Sequence, residues 1–284
     1  MKQIGGQAVI EGVMMRRGDS ISIAVRKPDD GIFIRRQKIR LASERWPVLK
    51  LPVLRGMVAF VEALVLGVKA LSISASAAME DEEEDLPEWQ LGLTMALGLI
   101  LGIGLFFFLP TVLAKLLAGG WTGLPLLLNL FEGGLRISIF VAYIYIISRL
   151  KDVQRVFQYH GAEHKVIFCH EAGHDLTVNN ARDFSPLHPR CGTSFLLLVM
   201  AVSILLFSFF GWPVLWQRLL LRLSLLPLVA GLSYEVIRLA ARYRFFCWLT
   251  SPGLWLQRLT TREPDDAQLE VAISALESVL LESE

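Results

Sequence analysis

All five histidines of this 284-residue chain, His160, His164, His170, His174 and His188, lie between residues 160 and 188. Cys169 and Cys191 fall in or beside that window. Imidazole and thiolate are the usual ligands of zinc and related divalent metals. His160 and His164 are four apart, a spacing that puts both rings on one face of a helix. With Glu163 between them the string is H-x-x-E-H, the inverted zincin pattern. In that chemistry two histidines bind zinc, a distant carboxylate completes the site and the motif glutamate activates water. The competing reading has these histidines hydrogen-bonding near lipid headgroups.

Other residues are candidates to complete the shell. His188 sits in a stiff loop between Pro186 and Pro189, and rigidity suits a ligand. Cys191 offers a soft thiolate. Glu235 offers a distant carboxylate; its alternative is an ion pair with Arg238 or Arg242. Cys169 reads as a small buried residue. Gly173 and Asp175 mark a turn that leaves His170 and His174 facing solvent, and Glu171 and Asp183 read as solvated acids.

The elements that must hold this cluster are apolar. Hydrophobic residues make up 54% and charged residues 19%, against about 45–50% and about 25% in soluble domains. Mean hydropathy is +0.49. A net charge of +1 speaks against a nucleic-acid partner, and three cysteines are too few for a disulfide framework. A spanning helix takes about 20 mostly apolar residues. Four stretches qualify: Leu91 to Ala114, Leu130 to Ser148, Ser194 to Trp216 and Leu219 to Ala241. Val53 to Met79 is also apolar, but Arg55, Glu62 and Lys69 form a polar stripe every seven residues. It reads as interfacial, or as packed on the bundle or the N-terminal domain. With four spans, 24 of the 28 Lys and Arg residues share one side with the histidines. The positive-inside rule places both termini and that loop in the cytoplasm of a bacterial inner membrane protein.

The expected fold is therefore a mainly α-helical integral membrane protein with four transmembrane helices. Residues 1–46 form a small antiparallel β-meander, from the runs Gln7–Met15, Ile21–Arg26 and Ile32–Arg36 with turn-forming residues between them. Residues 47–89 form an interfacial helix and the acidic linker Glu80–Asp85. Residues 90–250 form the membrane domain with its histidine loop at 149–193, and a helix from that loop's start is expected to run on from the second span. Residues 251–284 hold a C-terminal helix with Leu269, Ile273, Leu276 and Leu280 on one face. Glu132 and Arg136, four apart in the second span, pair with each other.

Several strings are together recognisable: Gly5-Gly6-Gln7-Ala8-Val9-Ile10-Glu11-Gly12-Val13-Met14-Met15-Arg16, Tyr159–Lys165, and His188-Pro189-Arg190-Cys191-Gly192-Thr193-Ser194-Phe195. Ser251-Pro252-Gly253-Leu254 and Thr260-Thr261-Arg262-Glu263-Pro264 support them. Over nearly its whole length the chain resembles the YqhQ-like bacterial membrane proteins, domain of unknown function 1385. The resemblance implies a membrane location and metal dependence, and no substrate. In such a layout Gln7, Glu11 and Arg16 approach the histidine loop, and Glu11 is the best candidate there for a base or ligand. The alternative leaves these charges exposed on the meander.

Three functions compete. The first is a metal-dependent hydrolase at the cytoplasmic interface, with zinc as the expected ion and a lipid-linked or membrane-protein substrate. Its metal ligands are His160 and His164, completed by His188, Cys191 or Glu235, and Glu163 handles protons. The second is a metal-ion transporter or sensor, which the nearly apolar first and third spans disfavour. The third is a non-catalytic membrane scaffold whose terminal segments bind partners.

Overall fold

The computed structural model describes residues 4–39, 42–79, 88–118, 124–243 and 251–281. The acidic run Glu80–Asp85 and Cys247 lie outside them. Four strands come first: β1 (Ile4–Val9), β2 (Gly12–Arg17), β3 (Ser20–Arg26) and β4 (Ile32–Lys38). They pair antiparallel in sequence order, which is the expected meander. The run Gln7–Met15 is not one strand, however. It breaks at Ile10-Glu11, where Glu11 takes a φ of 50°, and the chain doubles back so that Val9 faces Gly12. Gly12, the first residue of β2, packs tightly on β3: a Cβ there would stand 2.1 Å from the carbonyl oxygen of Ala24.

The helices follow as α1 (Ala42–Arg45), α2 (Leu54–Ala77), α3 (Glu88–Ile103), α4 (Leu109–Ala118), α5 (Pro125–Ile147), α6 (Lys151–Glu171), α7 (Val178–Arg182), α8 (Gly192–Ser208), α9 (Leu215–Arg242), α10 (Ser251–Thr260) and α11 (Asp266–Leu281). A π-helical turn at Gly104–Phe108 joins α3 to α4.

The sheet is covered on both faces. Val13, Met15 and Ala24 pack with Tyr159, Ala162 and Val166 of α6 and with Leu269, Ala272 and Leu276 of α11. Val9, Met14, Ile21 and Ile23 pack on the other side with Ala70 of α2. Two covered faces explain why β2 and β3 are buried along runs of residues rather than at alternate ones. α11 starts with a reciprocal cap: the Gln268 N–H donates to Asp265 Oδ1 at 2.8 Å and the Asp265 N–H to Gln268 Oε1 at 3.0 Å. Its expected apolar face is in place, with Leu269, Ile273 and Leu276 buried and Leu280 packed at the margin. Each such side chain contributes about 1.5–3 kcal/mol of burial.

Four helices are long and apolar enough to cross a membrane: Leu54–Ala77, Gly92–Ala118, Pro125–Ile147 and Leu215–Ala240. The last three coincide with spans read from the sequence, and one of the four differs. The third expected span, Ser194 to Trp216, is a 17-residue helix that stops at Ser208. Gly211, at φ 67°, and Pro213 end it. Leu54–Ala77, read as non-spanning, passes the length and composition test.

Chain connectivity separates the two cases. The sheet, α6 and α11 form one packed body, so all three stand on one side of any bilayer. The chain leaves that body after β4 and returns at α6, which takes an even number of crossings. The continuous α3–α4 helix and α5 would supply two, which leaves no pair for α2. The chain leaves again after α7 and returns at α10, so a crossing by α9 would need the shorter apolar helix α8 as its pair. The contacts of α2 agree. Its second half lies on the sheet through Leu66, Ala70 and Ile73. Its first half lies on α9, where a Cβ on Gly56 would stand 2.6 Å from Tyr234. Val61, Leu64 and Val65 form its exposed apolar side.

The bundle also holds a charge cluster. Glu132 and Arg136 pair at 2.9 Å, as their spacing predicts. Arg218 and Arg222 of α9 bind the same carboxylate, and all four residues are buried.

Candidate metal centre

α6 carries most of the site. It is a separate helix and not the continuation of α5 that the sequence suggested. α5 ends at Ile147, and extended backbone at Leu150 (ψ 133°) resets the chain direction. Asp152 in its first turn and His170 in its last complement the helix dipole. One face of α6 enters the sheet–α11 core, and His160, Glu163 and His164 look from the neighbouring face into a cavity of about 480 Å³. Gly161 lies where the chain entering α11 crosses α6: a Cβ there would stand 2.0 Å from the carbonyl oxygen of Arg262.

Both imidazoles are oriented by backbone. His160 Nδ1 lies 2.8 Å from the Thr260 carbonyl oxygen, and His164 Nδ1 lies 2.5 Å from that of Pro186. A carbonyl only accepts, so each Nδ1 carries the proton and each Nε2 presents a lone pair. Backbone carbonyls, like carboxylates and waters, play this part behind metal-binding histidines. Cys191 completes the group. Its Sγ lies 3.1 Å from His160 Nε2. One ligand atom from each of His160, His164 and Cys191 falls within 4.8 Å of the other two. Bonds of about 2.0–2.1 Å to nitrogen and about 2.3 Å to sulfur fit an ion between donors so spaced. Cys191 is also the N-cap of α8, and the Thr193 N–H and hydroxyl face its sulfur at 3.5 and 3.2 Å.

Glu163 stands beside this group, 5% exposed. Burial pushes its carboxyl up to about 7, against the opposing effects of His160 and of a hydrogen bond from the Gly6 N–H. A carboxyl poised near neutrality at the wall of a cavity can take up and release a proton. β1 brings the Gly6 backbone to it, so close that a Cβ on Gly6 would stand 2.7 Å from Glu163 Oε1.

His188 lies next to the ligand group but is turned differently. Its ring centroid is 5.5 Å from that of His164. Its Nδ1 accepts the Arg190 N–H at 3.2 Å, so in the neutral ring Nε2 carries the proton. That buried Nε2 has no hydrogen-bond partner and lies 3.7 Å from Glu171. Burial and then His164 lower the His188 pKa to about 4. As seated it is a donor at the edge of the site. Glu171 is not the freely solvated acid expected, since it also pairs with Arg190.

Two expected participants lie apart from this group. Glu235 accepts from Arg55 Nε at 2.7 Å and from the Val53 N–H at 3.1 Å, which ties α9 to the start of α2. Its partner is thus Arg55. Glu11 accepts from Arg155 Nε at 2.6 Å, with the Tyr159 hydroxyl at 3.4 Å. It holds the β1–β2 turn to the first half of α6. Of the N-terminal string, Gly5, Gly6 and Gln7 line the cavity, while Arg16 pairs with Glu62 of α2. Cys169 is buried and His174 exposed, as expected.

The comparisons with known proteins bear on the whole assembly. A family model described as "Protein of unknown function (DUF1385)" matches residues 51–282. The chain belongs to the DUF1385 family. It is similar to a Bacillus subtilis (strain 168) protein named "Uncharacterized protein YqhQ", with 37% identity over 292 aligned positions, covering 97% of this chain and 92% of the relative. No solved structure matches. The DUF1385 match includes His160, Glu163, His164 and Cys191, and the β1 residues that meet Glu163 precede it.

Some groups around this DUF1385 centre were not visible in the sequence. The carbonyls of Thr260 and Pro186 have no side-chain signature. Thr193 stands within the recognisable string but reads there as an ordinary helix start. Gln257 is wholly buried and clamps the His188 loop: its Oε1 accepts the His188 N–H at 2.8 Å and its Nε2 donates to the His188 carbonyl at 2.9 Å. Its only sequence cue is an amide on the apolar side of a helix.

Proposed function

We propose that this protein is a metal-dependent hydrolase of the bacterial inner membrane, working at the cytoplasmic face on a lipid-linked or membrane-protein substrate. The observation that carries the reading is the convergence of His160, His164 and Cys191 beside a buried Glu163 at the wall of an open cavity. The donor set suits zinc best among common divalent ions. A bound ion would supply Lewis acidity toward water and toward a carbonyl or phosphoryl oxygen. The chain's own residues do the rest. Thr260 and Pro186 hold the two rings, Thr193 orients Cys191, and Glu163 moves a proton at its carboxyl. The excess of basic residues on the side of this site supports a cytoplasmic position for it and for both termini.

A cation transporter fits less well. Among the described residues, the buried charges within the bundle are three arginines around one glutamate, and such a cluster repels cations.

The test is hydrolysis by purified protein of a panel of membrane-anchored esters, amides and phosphoesters. Glu163→Gln should keep the metal and lose about 10²–10⁴-fold in rate, the usual worth of a general acid or base. Equal rates for the wild type and Glu163→Gln on every substrate turned over would refute the role of Glu163.

A further inference from the structure

The arginine cluster at the other end of the bundle has a composition that asks for a ligand. Glu132 accepts Arg136 at 2.9 Å, Arg222 at 2.5 Å, Arg218, and the Thr111 hydroxyl at 2.7 Å. One carboxylate thus meets three guanidinium groups. Arg136, Arg218 and Arg222 are 7%, 5% and 5% exposed, so among the described residues two positive charges stay unbalanced in an apolar surround. Excess charge at such depth is costly and marks function by default.

The local structure looks built for the cluster. The π-helical turn Gly104–Phe108 brings the Phe106 carbonyl to Arg136 Nε at 2.9 Å, and π turns often mark functional sites. The Arg218 guanidinium lies over the Trp212 ring at 3.5 Å. A cavity of about 550 Å³ opens beside the cluster. Its polar lining is Thr111, Arg218 and Arg222, and its walls are apolar, with Ile103, Phe107, Trp216 and Leu219 among them. Glu132 and Arg222 each lie seven residues inside their helices, which is about 10 Å of helix. Both residues therefore lie in the third of their helices nearest the membrane face opposite the sheet.

We propose that this cavity binds the phosphate group of an anionic lipid, with Arg218 and Arg222 on the phosphate and the apolar walls along the chain. Guanidinium forks bind phosphate oxygens in pairs. The apolar walls favour a lipid over free phosphate. The site stands apart from the metal centre: Cys191 caps one end of α8, and Phe207, which lies under Arg222, stands near the other. The proposal rests on the membrane placement of the bundle and not on the hydrolase reading.

Native mass spectrometry tests it, on full-length protein from nanodiscs of equal phosphatidylglycerol and phosphatidylcholine. The wild type should retain phosphatidylglycerol in preference. Arg222→Gln should lower that retention about tenfold, the worth of one charged hydrogen bond. Ile103→Trp fills the cavity while leaving every partner of Glu132 in place, and should do the same even if the arginine variant fails to fold. Equal retention of both lipids by the wild type, or undiminished phosphatidylglycerol in Ile103→Trp, overturns the proposal. Quenching of tryptophan fluorescence by inorganic phosphate, with no lipid retained, also overturns it and points to a soluble anion.

Discussion

Gly6 and Glu163 meet so closely that no side chain could stand between them: a Cβ on Gly6 would lie 2.7 Å from Glu163 Oε1. The contact joins the first strand to the helix that carries both histidines. It also supplies the backbone hydrogen bond to the Glu163 carboxyl. Gly6→Ala should therefore push Glu163 aside. Thermal unfolding should show a loss of about 1–3 kcal/mol, as for other overpacked sites, with metal content unchanged. A variant as stable as the wild type would show that β1 does not constrain Glu163.

Gly161 offers a stricter case, because its neighbour is backbone. A helix-interior Gly→Ala change ordinarily gains about 1 kcal/mol. At Gly161 the added carbon would stand 2.0 Å from the Arg262 carbonyl oxygen, so Gly161→Ala should destabilise by about 1–3 kcal/mol. Gly134 has nothing within 4 Å of its Cβ position, and Gly134→Ala should be neutral or stabilising. Melting curves that rank the two variants the other way would contradict the close crossing at Gly161.

Gln257 holds both backbone groups of His188. Gln257→Leu keeps the volume and strands the buried His188 N–H, while the His188 C=O still accepts the Cys191 N–H at 3.2 Å. The expected cost is about 1–3 kcal/mol for the unsatisfied group. Hydrogen exchange of the 185–191 segment should quicken in the variant. Unchanged exchange there would show that the loop is held by other contacts.

Glu132→Ala leaves three buried arginines without their shared carboxylate. Breaking a buried pair from one side costs about 3–5 kcal/mol. Urea or heat unfolding in detergent should show a loss of that order. A change below about 0.5 kcal/mol, as at an ordinary surface site, would mean that the arginines do not depend on Glu132.

Much of this was legible in the chain. The H-x-x-E-H spacing carried His160, Glu163 and His164, since four residues make about one helical turn. Apolar length alone does not separate α2 from the other long apolar helices, because a helix lying on a sheet face needs the same side chains as one in lipid. Its contacts with the sheet and with α9 are visible only in the packed structure. The third span read too long because Phe209 and Trp212 are as apolar as the helix before them, and only Gly211 and Pro213 mark its end. Glu132 and Arg136 were visible as neighbours four apart, whereas Arg218 and Arg222 join them from a helix some ninety residues on. Glu235 and Glu11 were chosen for their charge, and their partners Arg55 and Arg155 emerge only from the packing of α2 on α9 and of the sheet on α6.

The central claim is that His160, His164 and Cys191 hold a metal ion, and elemental analysis of detergent-purified protein tests it most directly. The wild type should carry about one divalent ion per chain, with His160→Ala, His164→Ala and Cys191→Ala each reducing it at least about tenfold and His174→Ala leaving it intact. A folded wild type without stoichiometric metal, or equal metal in all these proteins, would contradict the account.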